Sequence, residues 1–598
     1  MNKIREIKHT ADLCVIGGGL AGTIAALSAA RGGMKVVLVQ DRPILGGNCS
    51  SEIKMWVRGA KGKYDRETGI LAEFEEENIY RNPTLSHSLW DSVLYGKVKA
   101  EKNITLLLNC SCADAESTDT RVTSIRAWQL TTYTWHTVEA TYFADCSGDG
   151  ILSFLTPAKA RVGREARSET GEKMARDVAD RKTMGNSVLL QATETDHPVP
   201  FIKPDWAYTY KTDEEFAVIP SLDVKHSTFR DQNIATSGCN LWWMEVGGDM
   251  DSLHDAEEIR DELLKIALGI WDHLKNQEDH GLANWELEWV GFLPGKRESV
   301  RYEGAHMLTQ QEVEAGGVFE DTIAYGGWPM DDHNPKGFYA NTPTDTPSIL
   351  HPAPSPYGIP YRCLYSKNIE NLFFAGRDIS ATHAAMSSTR VMATCALLGQ
   401  AVGTAAAICH RDGLLPREIT GALVTELQQQ LLLDGVFLPG VKREIPALSK
   451  NAALNVTAAQ KALLQNGIDR PRSDEEQNMI TLAKGEKLTF TFEKEEKITG
   501  LRMMLDLDYT KMSVSPNRKM RIFPMKLNRG KDFVPVKVAA TLVKAFRVIA
   551  DGKTVYEQDN NYYSLVQLPL DLTAKTVEIE FIETWGAEQV NLFACDLY

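Results

Sequence analysis

The segment "ADLCVIGGGLAGTIAALSAARGGMKVVLVQ", Ala11 to Gln40, constrains the fold of this chain more than any other. The apolar run Leu13 to Ile16 reads as a short buried strand, and Gly17, Gly19 and Gly22 follow it in a G-x-G-x-x-G pattern. Gly17 permits a tight turn, Gly19 lets the backbone approach a pyrophosphate, and Gly22 lets the next helix pack closely on the strand. The first N–H groups of that helix, at Leu20 and Ala21, are where the anion is expected, because the helix dipole favours negative charge there. Ala25, Ala26, Ala29 and Ala30 suit a helix lying against a sheet, and Gly32 and Gly33 end it. A second strand closes on Gln40. Together these elements predict a parallel α/β sheet that binds a dinucleotide.

Which dinucleotide is open at this point. Such units place an acid at the end of the second strand to hold the adenosine ribose, and here the position is Gln40, an amide that accepts one bond and donates another. Losing the acid while gaining Arg42 is also what a 2′-phosphate site would do, so FAD, NAD and NADP all remain.

At 598 residues the chain is too long for one core, and two to four domains are expected. Apolar content of 43% and charged content of 24% are those of a globular protein. The net charge of −15 and the lack of a basic patch argue against nucleic acid. No run approaches the ~18 apolar residues of a membrane span, and no apolar leader with a cleavage site is visible, so a cytoplasmic location is expected. The ten cysteines are scattered without a C-x-x-C pair, which argues for reduced thiols and against a thiolate metal site.

Two distant segments bear on the cofactor. "VEATYFADCSGDG", Val138 to Gly150, is an alternating strand running into an acidic Gly turn. "NLFFAGRDISATHAAMSSTRV", Asn371 to Val391, is a strand, a Gly turn carrying Asp378, and the start of a long Ala-rich helix. With "VQDRPILGGNCSSE", "GKRESVRYEG", "YGGWPMDDH" and "PYRCLY", these motifs resemble the FAD-dependent oxidoreductases of the glutathione-reductase-type superfamily. The resemblance covers roughly residues 12–408. It implies FAD with its adenine end at Gly17 to Gln40, touching Asp41 and Arg42. The loop Gly46, Gly47, Asn48, Cys49 and Ser50 is implied to pass the pyrophosphate and flavin. Ser147, Gly148, Gly376, Arg377, Asp378, Ser388 and Thr389 are implied at the ribityl and isoalloxazine end. Asp378 can accept from a ribityl hydroxyl. Cys49 has no second cysteine nearby and reads as a small packed residue rather than a redox thiol.

For chemistry, Arg297 and Arg301 fall on one face if their segment is a strand, where two cations suit a carboxylate, a polyhydroxylated substrate or a reduced flavin anion. His333 beside Asp332 has the pattern of an oriented base, and His383, seven residues before Arg390 on a helix, is a second candidate. Trp206, Trp242, Trp243, Trp271, Trp285, Trp289 and Trp328 concentrate in the middle of the chain and suit core packing or sugar rings.

The expected fold class is therefore α/β. An FAD-binding domain of Rossmann type occupies residues 1–155 and 346–440, with a mixed α+β substrate domain, 156–345, inserted between the two parts. After residue 445 the pattern changes to alternating strands, Leu488/Phe490/Phe492, Leu501/Met503/Leu505/Leu507 and Val577/Ile579/Phe581, which predict an all-β sandwich over 445–598. That stretch resembles galactose-binding-like, discoidin-type sandwiches. The expected activity is hydride transfer from a substrate C–H, carbohydrate or glycoside among the candidates, to flavin N5, with an unknown electron acceptor. A redox-neutral lyase or isomerase and a carbohydrate-binding protein with structural FAD are the alternatives. Higher oligomers are compatible with all three.

Overall fold

The fold is described from a computed structural model, which covers residues 4–212, 215, 244–277, 280–340, 347–508, 513–515, 518–521 and 534–598. Trp242, Trp243 and Cys239 lie outside these residues. The chain forms two compact units, one of residues 1–60, 84–424 and 523–535, the other of 61–83, 425–522 and 536–598.

The first unit is built on a sheet whose strands β1 (Arg5–Ile16), β2 (Val36–Val39), β3 (Ile104–Leu107), β4 (Cys110–Ser117), β5 (Val122–Gln129) and β6 (Thr134–Asp145) lie in the order 3-2-1-6-5-4. β1 pairs in parallel with β2 and β6, so that Ile16 stands beside both Val39 and Asp145. Strand Leu372–Phe374 continues the parallel set on the last turn of β6, while antiparallel β5 takes the earlier part of the same strand. Five parallel strands thus end along one edge, four of them just before Gly17, Gln40, Cys146 and Ala375. That edge is where open α/β sheets bind their ligands.

Helix α1 (Leu20–Arg31) follows β1 and is almost wholly buried, as its small residues require. It packs on helix Met392–Asp412, where a Cβ on Gly399 would lie 2.1 Å from the Ala21 carbonyl oxygen and one on Gly403 would lie 2.3 Å from that of Ala25. The helix Met392–Asp412 is also long and apolar enough to cross a membrane, but 89% of its apolar window is buried inside the fold. The middle of the chain has its own apolar cluster, in which helix Ala256–Asn276 contributes Trp271 and strand Trp285–Val290 contributes Trp285.

In the second unit an antiparallel sheet has the order Ile480–Ala483, Gln589–Leu597, Lys487–Leu505, Leu565–Thr584, Val543–Ala550, Lys553–Gln558. The two long strands bend at breaks in their register, between Thr491 and Glu496 and between Ile498 and Gly500. Every one of the alternating residues expected to face a core is buried, from Leu488 at 0% exposure to Phe492 at 5%. The fold class is thus a Rossmann-like α/β unit with a mixed α+β middle section and a C-terminal all-β sandwich.

Candidate functional site

Along the carboxyl edge of the sheet runs a cleft of about 490 Å³, within the range of small-molecule sites. At one end the glycine loops close on each other. Gly17 has φ +97°, and a Cβ there would meet the Cys146 backbone at 2.5 Å. On Gly22 a Cβ would stand 1.8 Å from the Gly17 carbonyl oxygen, and one on Gly47, at φ +60°, would stand 3.1 Å from the Gly19 Cα. Nothing stands within 4 Å of a Cβ placed on Gly19, so this glycine opens onto free space at the start of α1. A helix leaves its first N–H groups without an internal partner, and here those of Leu20 and Ala21 border the cleft.

Gln40 lines this end, but its amide is turned inward: Oε1 accepts from the Gly18 N–H at 2.6 Å and Nε2 donates to the Ile44 carbonyl at 3.2 Å. The side chain braces the glycine turn, whatever else it meets. Asp41, Arg42, Cys110 and Cys112 stand beside it on the wall. Cys49 is buried and donates to the Gly46 carbonyl at 3.0 Å; burial pushes its thiol up to about 12, which closes it as a nucleophile at neutral pH. Ser50 is buried too, and neither residue reaches the cleft.

In the middle, Ser147, Gly148, Gly376 and Arg377 form the wall. Asp149 accepts from Arg377 at 2.6 Å, Ser299 at 2.7 Å and Lys296 at 2.9 Å. Burial alone would raise its carboxyl, but Arg377 and Lys296 bring it down to about 2. Asp378 sits behind this wall, fully buried, with neither carboxylate oxygen hydrogen-bonded among the described residues. Burial and the nearby Asp145 push it well above the carboxylate range. Such a group wants a polar partner. Ser388 and Thr389 are buried within the helix His383–Thr389 rather than on the wall, and Ser388 donates to the Trp328 carbonyl at 2.5 Å.

The other end is lined by Trp56, Arg58, Arg297, Trp328, Asp331, His333 and Arg390. Here the geometry corrects three expectations. Arg297 and Arg301 do not share a face, because the strand begins only at Val300; Arg301 is buried, donating to Glu165 at 2.9 Å and to the Ala381 carbonyl at 2.7 Å. His383 is no base. Its ring nitrogens meet Glu298 at 3.0 Å and Asp332 at 2.9 Å, and although burial opposes the charge these carboxylates raise it to about 10. His333 is not oriented by Asp332, its neighbour in sequence, but by Glu245, 2.6 Å from Nδ1, with Asp331 at 3.4 Å from Nε2. Burial opposes its charge as well, yet Glu245 and Asp331 raise it, and Asp331 is in turn held well below the usual carboxylate range by His333 and Arg390.

Of the tryptophans expected to serve core packing or sugar rings, Trp328 alone lines the cleft among those described; Trp271 and Trp285 are core, Trp289 lies under Lys54, and Trp206 is half exposed. Sequence reasoning missed Trp56, Arg58, Asp149 and Glu245. The first two lie just past the "LGGNCSSE" loop, and Asp149 is inside a quoted motif. Glu245 has no motif around it.

A glycine-walled cleft at the carboxyl edge of a parallel sheet, entered by the start of a helix and backed by an unpartnered carboxyl, is the site of an enzyme that works through a bound dinucleotide. Residues 12–431 match the family described as FAD dependent oxidoreductase, and the chain belongs to that family. FAD is its cofactor. The residues fit it: the open space at Gly19 admits a pyrophosphate, and the Asp378 carboxyl is of the kind that a ribityl hydroxyl satisfies. Among curated proteins, 41 residues are 58% identical to dihydrolipoyl dehydrogenase of Manduca sexta, covering 7% of this chain and 8% of that protein. Over 39 residues the chain is 51% identical to soluble pyridine nucleotide transhydrogenase of Ectopseudomonas mendocina, covering 6% of this chain and 8% of that protein. The chain therefore spans under a tenth of either relative. Among solved structures, a geranylgeranyl bacteriochlorophyll reductase-like protein of Thermoplasma acidophilum aligns over 71% of this chain and 84% of its own, at 11% identity and a TM-score of 0.31. A family 32 carbohydrate-binding module of Streptococcus pneumoniae EndoD covers 26% of this chain and 97% of its own, at 13% identity and a TM-score of 0.18. Both likenesses are too loose to carry an argument.

Proposed function

We propose that this oxidoreductase moves a hydride between a carbon of a small hydroxylated substrate, carbohydrates and glycosides included, and its flavin, and that His333 handles the accompanying proton. Bound FAD supplies the hydride carrier. The observation that supports the assignment is the His333 ring on the cleft wall, held between Glu245 and Asp331 beside Arg297. Glu245, 3.4 Å from Arg297, fixes the ring's Nδ1, so Nε2 is the atom that gives a proton to substrate oxygen or takes it back. Trp56 and Trp328 exclude water at this end and offer flat faces to a ring-shaped substrate.

The test is single-turnover flavin reduction or reoxidation with hydroxylated substrates deuterated at the reacting carbon. The reading predicts a primary isotope effect, and a loss of about 10²- to 10⁴-fold in His333→Gln with FAD still bound. Equal rates for wild type and variant would remove His333 from the reaction.

The C-terminal sandwich favours a second contact with carbohydrate. Tyr80 and Tyr562 stack at 4.1 Å, Trp585 meets Tyr80 edge-on, and Arg81 and Lys544 flank them. A glycan-binding role of the galactose-binding-like kind predicts retention of the protein on an immobilised polysaccharide that is lost in Trp585→Ala; equal retention of the two proteins would dismiss it.

A further inference from the structure

The tryptophan end of the cleft presents three guanidinium groups, Arg58, Arg297 and Arg390, the His333 ring, and one carboxylate, Asp331. Glu245 stands behind His333 and Arg297.

Arg390 is the informative member. It follows the last turn of the helix His383–Thr389, and its side chain is 12% exposed. Its NH2 donates to the Asp331 backbone oxygen at 3.0 Å but lies 3.8 Å from the Asp331 carboxylate, beyond hydrogen-bonding range. Its Nε is buried without a hydrogen-bond partner among the described residues. The Asp331 carboxylate is engaged instead by the Trp328 Nε1, at 3.3 Å, and by His333, 3.4 Å away. A guanidinium carries five N–H donors in a planar fork that matches a carboxylate with two parallel bonds. Leaving such donors buried and unmade is costly, and an incoming anion removes the cost.

We propose that Arg390, assisted by Arg297, binds a carboxylate of the substrate at the Trp56 and Trp328 end of the cleft, so that the substrate is a hydroxylated organic acid rather than a neutral sugar. This rests on the reading of the cleft as the site of flavin-linked oxidoreduction. The acid group anchors one end of the molecule and leaves the hydroxylated carbon as the part that is presented for reaction. A different use of the same cations, stabilising the anion of reduced flavin, makes a different prediction, since it concerns the reduced state and needs no ligand.

The experiment uses the oxidised holoenzyme. Lactate, succinate and gluconate are titrated against lactamide, succinamide and glucose, with binding read from the visible spectrum of the bound FAD and from calorimetry. At least one acid is expected to bind about 10- to 100-fold more tightly than its neutral counterpart, the range that a charged hydrogen-bonded contact supplies. Arg390→Gln should remove that preference and Arg390→Lys should recover part of it. Acids and neutral counterparts binding alike, no acid perturbing the flavin, or Arg390→Gln shifting the reduction potential with acid binding unchanged would each overturn the proposal. The wild-type comparison decides even if a variant fails to fold. A purified protein that takes up no FAD would instead overturn the reading of the cleft itself.

Discussion

Carboxylates raise both His333 and His383 above the ordinary imidazole value, and the difference between the two lies in where each ring stands. His333 lines the cleft, whereas His383 lies inside, joining Glu298, next to Arg297, to Asp332, next to His333. His383 is thereby a positioning residue, a buried cross-brace between the two segments that carry Arg297 and His333. Its charged form is favoured on folding, with the folded value near 10 against an ordinary 6.5. A raised value stabilises the fold fully below the ordinary value, and the contribution is lost as pH rises through the folded one. Wild type should therefore lose stability between about pH 6.5 and 10 relative to His383→Gln, followed by chemical denaturation across that window; parallel pH curves would dismiss the brace. The variant itself should be about 3–5 kcal/mol less stable at pH 7, since it leaves buried carboxylates without their cation. Gln40 makes a comparable point. Replacing it with Leu orphans the buried Gly18 N–H, which costs about 1–3 kcal/mol, and FAD retention on gel filtration should weaken; unchanged retention would refute the brace.

Between elements, the contact of α1 with the helix Met392–Asp412 holds the cofactor end together. Gly399 leaves no room for a side chain above the Ala21 carbonyl, and Ala21 itself lines the cleft. Gly399→Ala should cost about 1–3 kcal/mol by overpacking and lower the flavin content per chain; thermal unfolding and the visible spectrum measure the two effects. This part of the fold was legible in the sequence, because the strand, Gly turn and Ala-rich helix are consecutive and local. So were the alternating strands of the sandwich, whose period of two needs no knowledge of partners. The pairing of the second cationic end was not legible. Glu245 and His333 are 88 residues apart, and Asp332, the obvious partner by adjacency, points along the opposite face of the same strand to His383. Adjacent residues of a strand face opposite ways, so sequence neighbours are the wrong partners to choose. Arg301 failed as a site residue for a related reason: the strand that was to align it with Arg297 begins too late.

At the scale of the whole molecule, each compact unit has an apolar core of its own, and the cleft belongs entirely to the first. In the second, Phe490 is fully buried within a cluster that draws on all the long strands of its sheet. Phe490→Ala should lower the stability of that unit by about 3–5 kcal/mol while the flavin content and its spectrum stay as in wild type. Loss of flavin from this variant would show that the sandwich supports the cofactor site. Central to the proposed function is the exchange of hydride between a substrate and the flavin beside His333. Its most direct measurement is the visible spectrum of the oxidised holoenzyme as hydroxylated acids are added without oxygen. The account predicts lasting bleaching of the flavin by at least one of them, slowed in His333→Gln. A flavin that stays oxidised with every acid, or bleaching as fast in the variant as in wild type, would contradict it.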